Sequence, residues 1–164
     1  MKKNTLFIFS IIIIFSACQN STNNQGIDPI LGPRSELLEN ITNNIIIPAH
    51  NNLQNELVNL HEKAQDFTSN PTVLGLSELR SAYVQAYVIW QSVEMFVIGK
   101  AEEIEYAKTM NTYPCNTTQI NNNIQSQSYN LNQENWLSWS SQGFPTLDYI
   151  LYGLDVDSNQ ILNY

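Results

Sequence analysis

The side chains of this chain that could do chemistry are few, and most of them stand alone. His61-Glu62 opens like the His-Glu-x-x-His of zinc-dependent proteases, where two histidines one helical turn apart bind the metal. Position 65 is Gln, so the second ligand is missing and the pair reads as a solvated helix face. His50 has no carboxylate at a ligand spacing and reads as a polar helix residue. Asp155-x-Asp157-x-Asn159 imitates the start of a calcium loop, but Gln160 replaces the turn glycine and the closing glutamate would fall after Tyr164. That segment reads as a polar tail. Cys115 has no histidine near it in sequence and reads as a small, buried apolar residue beside Pro114. Two carboxylates remain. Glu94 follows Trp90 by four residues and so borders an apolar helical face, where an unpaired charge is costly. A helix N-terminus or Arg80 is its simplest partner. Asp148 lies in Gly143-Phe-Pro-Thr-Leu-Asp148, where Gly143 and Pro145 read as a turn residue and a helix-start residue. Trp136, Trp139, Phe144 and Tyr149 read mainly as core.

Helices must position these groups. Ile41, Ile45, Ala49, Leu53, Leu57, Leu60, Ala64 and Phe67 repeat at three- and four-residue spacing, one apolar stripe of a long helix. Pro48 requires a kink or a fresh start within it, and Asn70-Pro71 ends it. Leu76, Leu79, Tyr83, Ala86, Trp90, Val93 and Val97 predict a second helix, opened by Ser77 to Arg80 and closed by Gly99. The two form an antiparallel hairpin that needs further helices to cover it. Beyond Lys100 the pattern dissolves, through the acidic Glu102, Glu103 and Glu105, into loop with a short helix around 118–127. Glu134 to Trp139 predicts another helix, and Pro145 begins a last one carrying Leu147, Ile150 and Leu151. No strand alternation appears, and the fold class is all-α, an up-and-down helical bundle.

The front of the chain sets the compartment. Lys2 and Lys3, an apolar run from Leu6 to Phe15 and then Ser16-Ala17 describe a signal peptide over residues 1–17. Cys18 directly after Ser-Ala resembles a lipobox, in which the thiol is acylated and becomes the first residue of the mature chain. Gln19 in place of aspartate favours the outer membrane, with the domain facing the periplasm. Residues 18–34 read as a lipid-anchored flexible tether, and 35–164 as the folded domain. The chain carries seven Lys plus Arg against fifteen Asp plus Glu. Removal of Lys2 and Lys3 leaves five against fifteen, a balance that excludes nucleic acid and electrostatic adhesion to anionic lipid. Contact with the membrane then rests on the acyl group.

Ile46-Ile47-Pro48-Ala49, Trp90-x-x-x-Glu94, Gly99, Thr112-Tyr113-Pro114 and the run from Gly143 to Gly153 together resemble the imelysin-like family. Its signature is Gly-x-His-x-x-Glu at the start of a helix, where histidine and glutamate share one face and can share a metal or a proton. Gly143 matches, Pro145 stands in the histidine position and Asp148 in the glutamate position. The resemblance implies a bacterial envelope protein, often a lipoprotein, built from two packed helical bundles and associated with iron acquisition. This length corresponds to the first bundle with the signature helix, a truncated version of the family's domain. It also makes Glu94 and Asp148 a possible remnant ligand site, since paired carboxylates raise one pKa or hold a cation. Proline neither ligates nor transfers protons. The expectation is therefore a non-catalytic binding protein without catalytic residues, bound metal or cofactor, with an iron-related ligand or an envelope partner. Metallopeptidase activity and a fragment without function are the alternatives. Leu147, Ile150, Leu151 and Leu154 on the last helix, beside Tyr149 and Tyr152, predict an exposed apolar face and self-association.

Overall fold

In the computed structural model, residues 31–130 and 136–163 are described; the signal peptide and Cys18 lie outside them. All regular structure among the described residues is helical. The chain enters as α1 (Leu31–Ile41), which already takes in residues 31–34 of the expected tether. Pro33 suits its first turn, where no N–H is required. A π-turn over Thr42–Ile46 leads without a break into α2 (Ile47–Ser69). Pro48 supplies the reason for the π-turn. A proline ring would clash with the carbonyl four residues back, and widening the turn, with the Ile47 N–H reaching the Thr42 carbonyl, avoids this. The helical backbone runs on through Pro48 without a restart.

Asn70 leaves the helical region (φ −147°, ψ 82°) before Pro71, and α3 (Val73–Trp90) returns antiparallel. Its start is earlier than the sequence predicts, because Thr72 caps it by accepting from the Gly75 N–H at 3.0 Å. The Lys63–Glu78 ion pair, 2.8 Å long, bridges the two helices near the turn. At 18 residues α3 spans about 27 Å. It can therefore cover α2 only from about Leu53 onward. Leu53 and Leu60 are buried there, whereas Ile45, earlier in the same stripe, is exposed.

The second helix also stops sooner than predicted. Ser92 sends both its N–H and its hydroxyl to the Ile89 carbonyl (3.0 and 2.7 Å), which tightens the chain into turns. Val93 still reaches the core, but Val97 lies in the non-helical stretch that follows. Gly99 (φ +58°) does not close α3; it precedes the short α4 (Lys100–Glu103). A second short helix, α5 (Tyr106–Met110), follows where loop was expected. Next come α6 (Thr117–Ser126), capped by Asn116, and a 3-10 segment over Trp136–Ser141. The chain finishes with α7 (Gly143–Asp148), a π-turn over Tyr149–Gly153 and α8 (Ser158–Ile161).

The core forms where α2 and α3 meet α7 and α8. Leu76, Ala86, Trp90 and Phe144 are almost wholly buried, and Leu151 and Ile161 close the far end. Two expectations about exposure need correcting. Leu147, Ile150 and Leu154 are half-buried and Leu151 is buried, because α3, α6 and α8 cover the last helix. Apolar side chains are left uncovered elsewhere, among them Leu37 and Leu38 on α1 and Val84, Val88 and Met95 on and just after α3, and on the last helix Tyr152 is exposed. Trp136 is exposed rather than core, while Trp139 is half-buried with the Lys108 ammonium 5.2 Å above its ring.

Gly143 carries the docking of α7 onto α5. Its φ is +76°, and a Cβ there would collide with the main-chain carbonyls of Thr109 and Met110. Gly99 shares the positive φ, but a Cβ there would meet nothing within 4 Å. Gly143→Ala should therefore cost at least about 3 kcal/mol in chemical denaturation, and Gly99→Ala about 1 kcal/mol. Equal losses would contradict the close approach.

Candidate functional site

The α7 helix and its π-turn divide their residues among three environments. Phe144 and Leu151 enter the core. Gly143, Thr146, Leu147 and Ile150 face α6, an i, i+3, i+4, i+7 set. Pro145, Asp148, Tyr149 and Tyr152 face a cleft against α3. Phe144 anchors the arrangement, since its ring lies 5.0 Å from Tyr87, 6.0 Å from Trp90 and 6.2 Å from Tyr83, all on α3. Such tilted aromatic pairs fix orientation as well as burying area. Arg80 fixes the other end. Its Nε and Nη2 both donate to the Leu151 carbonyl (2.8 and 2.6 Å), and its Nη1 donates to the Ser158 hydroxyl at 3.0 Å. The guanidinium also lies 4.7 Å above the Tyr152 ring.

The cleft between α3 and this helix has a volume of about 590 Å³, within the usual range for small-molecule sites. Tyrosines make its walls: Tyr83 and Tyr87 from α3, Tyr149 and Tyr152 from the last helix, and Tyr113 from the loop before α6. Asp148 is the one charged residue among the described residues of the wall, and it is exposed. Tyr149 is held by Asn121, whose Nδ2 donates to its hydroxyl at 3.0 Å. The Tyr83 hydroxyl lies 3.3 Å from the Phe144 carbonyl, long for such a bond, and also faces the Asp148 carboxylate, the stronger acceptor. Burial first, and then the negative charge of Asp148, push the Tyr83 phenol well above the usual tyrosine range. It stays protonated and donates to the Phe144 carbonyl, and so is no base.

Three of the four residues singled out in the sequence come together here. Pro145 and Asp148 line the cleft, and Gly143 seats the helix that carries them. Glu94 does not join them. It is exposed in the turn after α3 and is absent from the cleft wall. Arg80, its expected partner, is committed to Leu151 and Ser158. Cys115 is half-buried in the cleft wall instead of in the core. His50 Nδ1 donates to the Ile46 carbonyl (2.9 Å) on the surface of α2, as a polar helix residue would. The expected polar tail is a folded element. Asp157 caps α8 by accepting from the Asn159 N–H at 2.9 Å, which lowers its pKa, and Ile161 is buried behind it. The tyrosine wall escaped the sequence reading. The signal was present: Tyr83 and Tyr87, like Tyr149 and Tyr152, are one helical turn apart on a shared face.

Residues 46–164 match the family model for imelysin, and the chain belongs to that family. No curated protein and no solved structure matches it. Imelysin-family proteins are generally secreted or associated with the cell envelope. Among the described residues, no helix is long and apolar enough to cross a membrane. The cleft does not fit a metal ligand set. Pro145, which cannot ligate, stands beside Asp148 in its wall, the nearest phenol stays protonated, and among the described residues no three of His, Cys, Asp and Glu converge.

The Tyr83 phenol yields a prediction about pH. Its folded pKa exceeds the unfolded value of 10.0, so the stability it contributes is complete below that value and is lost as pH rises above it. Tyr83→Phe should flatten the fall in stability above pH 10, measured by denaturation at a series of pH values. Asp148→Asn should move one tyrosine ionisation to lower pH in the ultraviolet phenolate signal. An unchanged ionisation profile in Asp148→Asn would contradict the contact.

Proposed function

We propose that the protein works by binding, as a lipid-anchored envelope protein in iron uptake, and that the Asp148 cleft receives its ligand. One observation supports this most: a single carboxylate in a tyrosine-walled cleft, with Pro145 where the family's motif has histidine. The carboxylate offers charge, and ring faces and phenol hydroxyls offer cation-π and hydrogen-bonding contacts. That combination suits a cationic organic ligand or a cationic side chain of an envelope partner. The surplus of acidic residues attracts the same class of molecule from a distance. The signal peptide and Cys18 supply the location, at the periplasmic face of the outer membrane, with the acyl chain as the attachment.

Two measurements test the proposal together. Labelled palmitate should enter the wild-type chain and be lost from Cys18→Ala, and persistence of the label would refute the anchor. A strain without the gene should grow more slowly than its parent when iron is scarce. The wild-type gene should restore growth, and Asp148→Asn should restore it by less than half. Full restoration by Asp148→Asn would contradict the assignment of the cleft, and peptide cleavage that a chelator abolishes would establish a peptidase instead.

A further inference from the structure

The Asp148 cleft offers a ligand mainly ring surface and one negative charge. Three of its tyrosines direct their hydroxyls at groups of the protein itself. Tyr83 donates to the Phe144 carbonyl at 3.3 Å, and Tyr87 reaches Asn111 Oδ1 at 3.5 Å. Tyr149 is paired with the Asn121 amide, 3.0 Å from its nitrogen and 3.3 Å from its oxygen. The Tyr149 ring is fixed as well. A Cβ on Gly153 would stand 2.6 Å from Tyr149 Cδ2, so the ring fills the place that a side chain at position 153 would need. Gly153 has no positive φ, and its lack of a side chain therefore serves the ring. Both residues line the cleft. Asp148, exposed in the same wall, makes no ion pair with a cation among the described residues.

We propose that the cleft takes a quaternary ammonium group, a trimethylammonium of the choline type, with Asp148 as its counter-charge and Tyr149 as a preset ring partner. The inference rests on the reading that this cleft is the ligand site, and it narrows that reading to one kind of cation. A primary ammonium has three N–H donors and a guanidinium five, and each needs an acceptor once it leaves water. The described wall has one carboxylate, and three of its hydroxyls already have partners. A trimethylammonium has no N–H to satisfy, and its charge is attracted by aromatic ring faces. Arg80 already lies 4.7 Å from the Tyr152 ring, so that ring shapes the cleft and is not counted as a partner.

The probe is choline, titrated against the full chain and followed by the proton resonance of its N-methyl groups. Contact with ring faces should move that line upfield, and the shift should saturate. The neutral carbon analogue, with a tert-butyl group in place of the trimethylammonium, should bind at least about fivefold more weakly. Ethanolamine, which keeps the charge without the methyl groups, should be weaker by the same factor. Asp148→Asn should weaken choline by about fivefold, the size of one exposed charge contact. Gly153→Ala, at an exposed position, should push the Tyr149 ring aside and lower both the affinity and the limiting shift. Asn121→Leu, which releases the hydroxyl end of the same ring, should act in the same direction. Wild-type affinity and shift in both variants overturn the part given to Tyr149. Binding of the tert-butyl analogue or of ethanolamine as tightly as choline overturns the quaternary ammonium, and leaves the cleft as an apolar or a general cation site. Absence of a saturable shift overturns the proposal outright, whereas the cleft's part in growth on scarce iron is decided separately by Asp148→Asn in the strain. Displacement of choline by phosphatidylcholine vesicles, but not by phosphatidylglycerol vesicles, assigns the group to a lipid head. No displacement by either assigns it to a free small molecule.

Discussion

The Arg80 guanidinium on the Leu151 carbonyl is the interaction on which the functional end of this molecule depends. A helix leaves its last carbonyls without intrahelical partners, and the π-turn at Tyr149–Gly153 ends with this one facing α3. A half-buried guanidinium supplies two donors to that carbonyl and a third to Ser158, so one side chain ties α3, the last helix and α8 together. Such charge-assisted bonds are stronger than neutral ones, and the planar fork sets direction as well as distance. Lysine could not make the same set of contacts. The cation also sits at a helix C-terminus, where the peptide dipoles favour it.

With that end fixed, the other contacts of the last helix follow. Phe144 fills the aromatic cluster of α3, and Gly143 lets the backbone close onto the carbonyls of α5. The helix is then held at both ends and cannot rotate without losing one anchor or the other. Asp148 is consequently set beside Tyr83 in the cleft, and Thr146 beside Gln142 on the opposite side. Two cavities of different chemistry thus share one short helix. One is walled by tyrosines around a carboxylate, the other by isoleucine and leucine side chains without a charge among its described lining residues.

Much of the fold was legible in the sequence, because the long stripes of α2 and α3 are periodic and proline marks the turn between them. The all-α class and the hairpin follow from those residues alone. Other features were decided by local competition that periodicity does not carry. The stripe through Val93 and Val97 continues past the point where Ser92 captures the Ile89 carbonyl and the helix ends. The pattern of Asp155, Asp157 and Asn159 gave no hint that α8 folds behind it to bury Ile161. At the site, the family signature pointed to Pro145 and Asp148, and both line the cleft beside α3. Pairing Glu94 with them failed because the early end of α3 leaves Glu94 in an exposed turn. The tyrosine wall depends on three separate segments meeting, which no local pattern encodes.

The clamp can be tested by amide hydrogen exchange on the full chain carrying Arg80→Leu, which keeps the apolar stem and removes every donor. Protection should fall selectively across residues 149–161, the π-turn and α8, while the amides of α2 and α3 keep theirs. A uniform loss over the whole domain, or no loss in that segment, would contradict the central place given to Arg80.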